Sequence, residues 1–286
     1  MSILITPHAL HALRQDAPDT VVLDVRWTLA VPNGRPAYSE AHVPGAVYVD
    51  LDTELARHGE ATEGRHPLPE IADLQAHARR WGIDDGDTVV VYDGGGNLAA
   101  ARAWWLLRHA GVADVRLLDG ALPAWVAAGY ATESGEVRPS PGTVTLAYGH
   151  LPTTDLEHVS DFAAAGRLVD VRAAERYRGE VEPVDPRAGH IPGALNAPTG
   201  DNLRPDGTFS SPDELTTRYR DLGLEPGSEV AVYCGSGVTA AHASAALTLA
   251  GYRPVLYPGS WSQWSNHHDR PVATRTHSSQ QEEARP

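Results

Sequence analysis

One cysteine, Cys234, is all the thiol this 286-residue chain contains, and lysine does not occur at all. A solitary cysteine rules out an intramolecular disulfide, a Cys-x-x-Cys redox pair and a cysteine-based zinc cluster. The 23 basic residues are therefore all arginine, which removes Schiff-base chemistry and the P-loop lysine. The formal net charge of −14 argues against nucleic acid or an anionic membrane as partner. No apolar run is long enough to span a bilayer, and the N-terminus lacks the basic-then-apolar pattern of a signal peptide. A cytoplasmic protein is expected, in a compartment that keeps Cys234 reduced. The 14 histidines include no pair with convincing metal-ligand spacing, so no metal is expected, and His267-His268 reads as a surface pair.

What surrounds Cys234 is informative. Glu229-Val230-Ala231-Val232-Tyr233 reads as a buried strand, and Thr239 to Leu249 as a helix. Between them lies Gly235-Ser236-Gly237-Val238, whose glycines let the backbone curl around an anion without Cβ clashes. Inward N–H groups and the positive end of the helix both stabilise negative charge on the sulfur. A lone cysteine is more often a small buried apolar side chain. This setting favours a nucleophile instead.

The chain is an internal duplication. Val21 to Arg26 matches Leu168 to Arg172, and His42-Val43-Pro44-Gly45-Ala46 matches His190-Ile191-Pro192-Gly193-Ala194. Val89 to Gly96 matches Val230 to Gly237, and Leu118 to Trp125 matches Tyr257 to Trp264. Equivalent positions lie 139 to 148 residues apart, as in Trp125 and Trp264, or His42 and His190. Four matched signals in one order point to repeated units. Each half alternates strands with helices, the pattern of an α/β domain with a parallel sheet. The expected boundaries are a first domain over 1–133, a Pro/Gly-rich linker over 134–154, a second domain over 155–273 and a disordered polar tail over 274–286. Asp93 replaces the cysteine in the first half, so that half is expected to be non-catalytic.

These motifs resemble the tandem rhodanese-like sulfurtransferases, which have two α/β domains, an inert first copy and one catalytic cysteine in the second. The His-x-Pro-Gly-Ala elements and Gly259-Ser260-Trp261-x-x-Trp264 carry the resemblance over roughly Ile5 to Pro271. The loop from Cys234 to Ala240 is similar to that of the 3-mercaptopyruvate branch. The thiosulfate branch has arginine and lysine after its cysteine. The resemblance implies two tandem rhodanese-like domains, each a small parallel sheet flanked by helices. It further implies persulfide chemistry on Cys234, no cofactor, a small-molecule sulfur donor, and a thiol or cyanide acceptor. Gly235, Ser236, Gly237, Val238 and Thr239 would cradle the persulfide, although Thr239 also suits a helix cap.

Both donors are anions, so arginine is expected in the cleft. The resemblance puts Arg176 and, across a segment slightly longer than the family pattern, Arg187 in that role. Arg178 reads as a surface charge. His42 and His190 occur in both copies, which argues for a structural part, while Ser-His-Asp assistance in the mercaptopyruvate branch leaves His42 a candidate beside Ser236. His66 lies on an irregular segment and is a candidate cleft residue.

Two rival chemistries remain to be weighed. A cysteine phosphatase needs Cys-x5-Arg, but Ala240 stands there and no arginine occurs between Cys234 and Arg253. A non-catalytic sulfur-binding module is opposed by Cys234 and its intact Gly-rich loop. Thiosulfate:cyanide sulfurtransfer stands as the alternative main activity.

Overall fold

Short β-branched strands separated by helices return the chain in one direction, so parallel pairing follows. The computed structural model describes residues 2–17 and 19–274. The first sheet contains β1 (Leu4–Ile5), β2 (Val21–Asp24), β3 (Val47–Tyr48), β4 (Thr88–Tyr92) and β5 (Asp114–Leu118), in the order β1-β5-β4-β2-β3. The second contains β6 (Leu168–Asp170), β7 (Leu195–Asn196), β8 (Glu229–Tyr233) and β9 (Arg253–Leu256), in the order β7-β6-β8-β9. Every pairing among these strands is parallel. Thr153 bridges Leu256 in parallel, at the edge that β1 takes in the first sheet.

The central strands β4 and β8 are buried on both faces, which explains their unbroken apolar runs. The helix after β8 spans Thr239–Leu249, the extent read from sequence. It is buried almost all round, with Ala240, Ala241, Ala243 and Ala246 at zero exposure. Small side chains let it lie close to the sheet, and no polar face is needed. Trp261 and Trp264 fill the second core against Tyr233 and Tyr257.

The chain forms two compact units, and neither is continuous in sequence. One comprises Met1–Arg57, Leu68–Leu151 and Leu203–Phe209; the other comprises His58–Pro67, Pro152–Asn202 and the chain from Ser210 on. The sequence division at 134–154 treats each half as unbroken and misses both exchanged segments. Most of the expected linker is also hydrogen-bonded to the first unit. The N–H groups of Gly142, Val144 and Ala147 donate to the carbonyls of Arg79, Ile83 and Ala110 at 2.7, 3.1 and 3.0 Å. Its proline and glycine content reflects an extended strap, with Val144 buried. The expected tail lies outside the described residues apart from Thr274. Among the described residues no helix is long and apolar enough to cross a membrane.

Candidate active site

Cys234 follows the C-terminal end of the central strand β8, where open parallel sheets place their ligand sites. It is 2% exposed, at the base of its loop. The Gly237 N–H points at its sulfur, 3.1 Å away, and Gly237 has a φ of +80°, which only glycine adopts freely. The loop is fixed by the segment Gly259 to Ser262. Ser260 Oγ accepts the Cys234 N–H at 3.1 Å and donates to the Tyr257 carbonyl at 3.0 Å. The N–H groups of Trp261 and Ser262 donate to the carbonyls of Cys234 and Gly235 at 3.0 and 2.8 Å. Ser260 has a φ of +53°, and its counterpart Ala121 in the first unit has +55°. A strained conformation present in both copies belongs to the frame of the turn.

Ser262 also anchors the exchanged strap. Its Oγ accepts the Arg65 N–H at 3.1 Å, and His267 Nε2 meets the Thr62 carbonyl at 3.0 Å. A Cβ on Gly64 would lie 2.8 Å from the Gly259 carbonyl, so only glycine permits this approach. The strap thereby delivers two side chains to the loop. His66 Nδ1 and Ser236 Oγ are 2.7 Å apart. Arg65 Nη2 comes within 3.0 Å of the point a Cβ on Gly235 would occupy, and Arg176 Nη1 within 3.5 Å.

A chain of alternating charges holds these arginines. Asp170 and Glu182 both bind Arg172, whose guanidinium also lies over Trp261 at 4.6 Å. Glu182 Oε1 accepts Arg176 Nη2 at 2.6 Å. Asp185 bridges the next pair, with Oδ1 on Arg65 and Oδ2 3.4 Å from Arg176. Burial works to raise the Glu182 pKa, but the Arg176 hydrogen bond and the backbone donors of Asp185 and Val184 outweigh it, leaving it below the usual range. Asp185 ends above that range, because burial outweighs the pull of Arg65 and Arg176.

Other expected residues have structural places. His42 is fully buried, stacked on Tyr38 at 4.2 Å with Nδ1 2.9 Å from the Tyr38 carbonyl. His190 repeats this on Tyr177 at 3.7 and 2.7 Å. The same arrangement in both units gives the His-x-Pro-Gly motif its structural part and corrects the candidacy of His42. Arg187 is also corrected. It donates to four backbone carbonyls, those of Ser265, Trp264, His267 and Arg270, at 2.7–2.8 Å, so it clamps the segment after the Gly259 turn. Arg178 pairs with Glu180 at the surface. Thr239 begins its helix without a side-chain cap, that helix having Val238 at the capping position.

Sequence reasoning missed Arg65, Glu182, Asp185, Ser260 and Ser262. Arg65 adjoins the flagged His66, and the two serines lie in the Gly-Ser-Trp segment taken only as a family mark. For Arg65, Ser260 and Ser262 spacing assigns no partner, because the contacts with Asp185, Cys234 and Arg65 bridge residues far apart in sequence; Glu182 and Asp185 lie within ten residues of Arg176 but in no motif that marks them.

The first unit supplies a template for the loop. Asp93 follows β4 as Cys234 follows β8, and Gly96 has a φ of +76° where Gly237 has +80°. Asp93 Oδ1 accepts the N–H groups of Gly95 and Asn97 at 2.8 and 3.0 Å, and Oδ2 those of Ala99 and Ala100 at 3.0 and 3.4 Å. The loop in that copy is thus an anion cradle with a carboxylate built in.

The sequence pattern of the Rhodanese-like domain matches the chain twice, over residues 6–128 and 155–267. SseB of Mycobacterium tuberculosis, provisionally named a thiosulfate sulfurtransferase, is 48% identical over 277 residues, covering 96% of this chain and 98% of its own length. The 3-mercaptopyruvate sulfurtransferase of Escherichia coli is 35% identical over 268 residues, covering 90% and 93%. The crystal structure of SseA from Escherichia coli superposes with a TM-score of 0.80 at 31% identity, covering 91% of this chain and 99% of that one. The chain belongs to the rhodanese family, in two tandem copies, and is a sulfurtransferase.

Proposed function

We propose that the chain moves a sulfane sulfur from 3-mercaptopyruvate to a thiol or cyanide through a persulfide on Cys234. The Cys234 thiolate attacks the donor's sulfur and the donor C–S bond breaks. The electron pair stays on carbon, which takes up a proton in place of the one lost from the donor thiol, so pyruvate leaves. The acceptor then attacks the outer sulfur and restores the thiolate; cyanide departs as thiocyanate.

One observation carries this reading: the duplicated cradle. The carboxylate oxygens of an aspartate and the outer sulfur of a cysteine persulfide both lie three bonds from Cα, so the Asp93 oxygens stand for the outer sulfur. Their four N–H donors correspond to those of Ser236, Val238, Ala240 and Ala241 in the catalytic copy. Such fixed donors stabilise developing charge without reorganisation.

The contact between Ser236 and His66 favours mercaptopyruvate. Its leaving carbon needs a proton, which a hydroxyl–imidazole pair can deliver, whereas sulfite leaves thiosulfate without one. Arg176 is suited to the donor carboxylate. In this reading the first copy is non-catalytic and the protein works in the cytoplasm, with neither nucleic acid nor membrane as partner.

The test is Cys234→Ser. It is expected to abolish thiocyanate formation while the fold persists. After donor treatment the unmodified protein should gain about 32 Da on Cys234, one sulfur atom. Substantial turnover by Cys234→Ser would sink the proposal.

A further inference from the structure

Over the Cys234 loop the space is taken up by side chains: two guanidinium groups approach Gly235, and His66 meets Ser236. The equivalent loop of the first unit is left open. A Cβ on Gly94, the counterpart of Gly235, would meet Arg26 Cδ at 3.6 Å, and one on Gly95, the counterpart of Ser236, would meet nothing within 4 Å. The segment Leu203–Phe209, which the second half contributes to this unit, packs instead on Gly96 and Gly120 through Leu203 and Thr208. What remains over Gly94 and Gly95 is a cavity of about 310 Å³, walled by Trp27, Val31 and Leu98.

The charges beside this cavity are already engaged. Arg26 donates Nε to Asp24 at 2.8 Å and its terminal nitrogens to the carbonyls of Ala37 and Ala41 at 3.3 and 2.6 Å. Each Asp93 oxygen accepts two backbone N–H groups. A charged ligand would give up water here and find no free counter-ion. The walls suit a flat apolar molecule. Two successive glycines present bare peptide faces, and the Trp27 ring is held by its Nε1 donating to Asp52 at 2.9 Å. Val31, 59% exposed, carries the apolar wall out to the surface. The Thr28 hydroxyl, which accepts the Val31 N–H at 3.0 Å, can donate its own proton to a ligand acceptor.

We propose that the first copy binds an uncharged aromatic molecule of one or two rings, bearing a hydrogen-bond acceptor, in the cavity over Gly94 and Gly95. The volume is that of a small ligand pocket. With Asp93 filling the anion cradle from inside, the place that holds a sulfur donor in the other copy has become an apolar site. This binding is separate from the persulfide reading and stands or falls apart from it.

The test titrates the full chain with 2-naphthamide and with 2-naphthoate, which match in shape and differ in charge. Calorimetry should give a dissociation constant on the order of 0.1 mM for the amide and binding at least about tenfold weaker for the carboxylate. The Trp27 indole N–H signal, assigned by its loss in Trp27→Phe, should shift on addition of the amide. Gly95→Leu puts a side chain into the open space at a φ outside the left-handed region, so it should weaken amide binding by about tenfold or more and leave sulfur transfer by Cys234 intact. No saturable binding of the amide, equal binding of the carboxylate, or undiminished binding to folded Gly95→Leu overturns the proposal. If Gly95→Leu fails to fold by circular dichroism, the Trp27 signal decides: one that stays put during the titration refutes the site.

Discussion

Asp93 and Cys234 are equivalents: each follows the central strand of its sheet and is followed, three residues on, by a left-handed glycine. In one the cradle's donors already hold a carboxylate; in the other the Gly237 N–H meets the sulfur. Asp93→Ala should strand four loop N–H groups and lower stability by about 2–4 kcal/mol, whereas Asp93→Asn, which keeps one acceptor, should cost less. Steady-state rates should change little in either. A loss matching that of Cys234→Ser, with the fold intact, would assign chemistry to the first copy.

Ser236→Ala removes the hydroxyl that meets His66 at 2.7 Å. The expected result is a drop in kcat for 3-mercaptopyruvate of about 10- to 100-fold, with a far smaller effect on thiosulfate. His66→Gln should behave alike. Equal losses with both donors would mean that the pair positions the loop and handles no proton.

Arg176 and Arg187 should separate cleanly. Arg176→Ala is expected to reduce kcat/KM by a few tens to several hundred-fold, roughly 2–4 kcal/mol, and also to cost some stability, since Glu182 and Asp185 lose a partner. Arg187→Ala leaves the carbonyls of Trp264, Ser265, His267 and Arg270 without their donor, so its main effect should be a loss of roughly 1–3 kcal/mol of stability. The opposite division would restore Arg187 as the donor-binding residue.

A pH effect is expected in the first unit. Burial pushes the Asp24 carboxyl up to about 6, against the opposing pull of Arg26. The folded state therefore binds this proton more tightly than the unfolded one. The resulting stability is fully present below pH 4 or so and disappears as pH rises through about 6, an effect on the order of 3 kcal/mol. Asp24→Asn should reduce the fall in melting temperature between about pH 5 and pH 7.5. An unchanged pH profile would show that Asp24 stays ionised in the fold.

The sequence made the architecture legible because its signals are local. The runs ending at Tyr92 and Tyr233, the helix Thr239–Leu249 and the repeated His-x-Pro-Gly-Ala each declare themselves within a few residues. Cys234 and its loop were readable for the same reason. The rest of the site rests on long-range contacts: Arg65 with Asp185, His66 with Ser236, Ser262 with both Gly235 and Arg65. Arg187 shows the converse. Its position fits an anion-binding pattern, but its hydrogen bonds go to carbonyls some 80 residues away in sequence.

The exchanged strap His58–Pro67 bears on how this gene can be cut. A fragment beginning near residue 155 would retain the nucleophile and its loop but lose both Arg65 and His66, the side chains that belong to the catalytic unit though encoded in the other half. The first half is therefore no spare: it encodes ten residues of the unit that holds Cys234, and a deletion of that half would take them along.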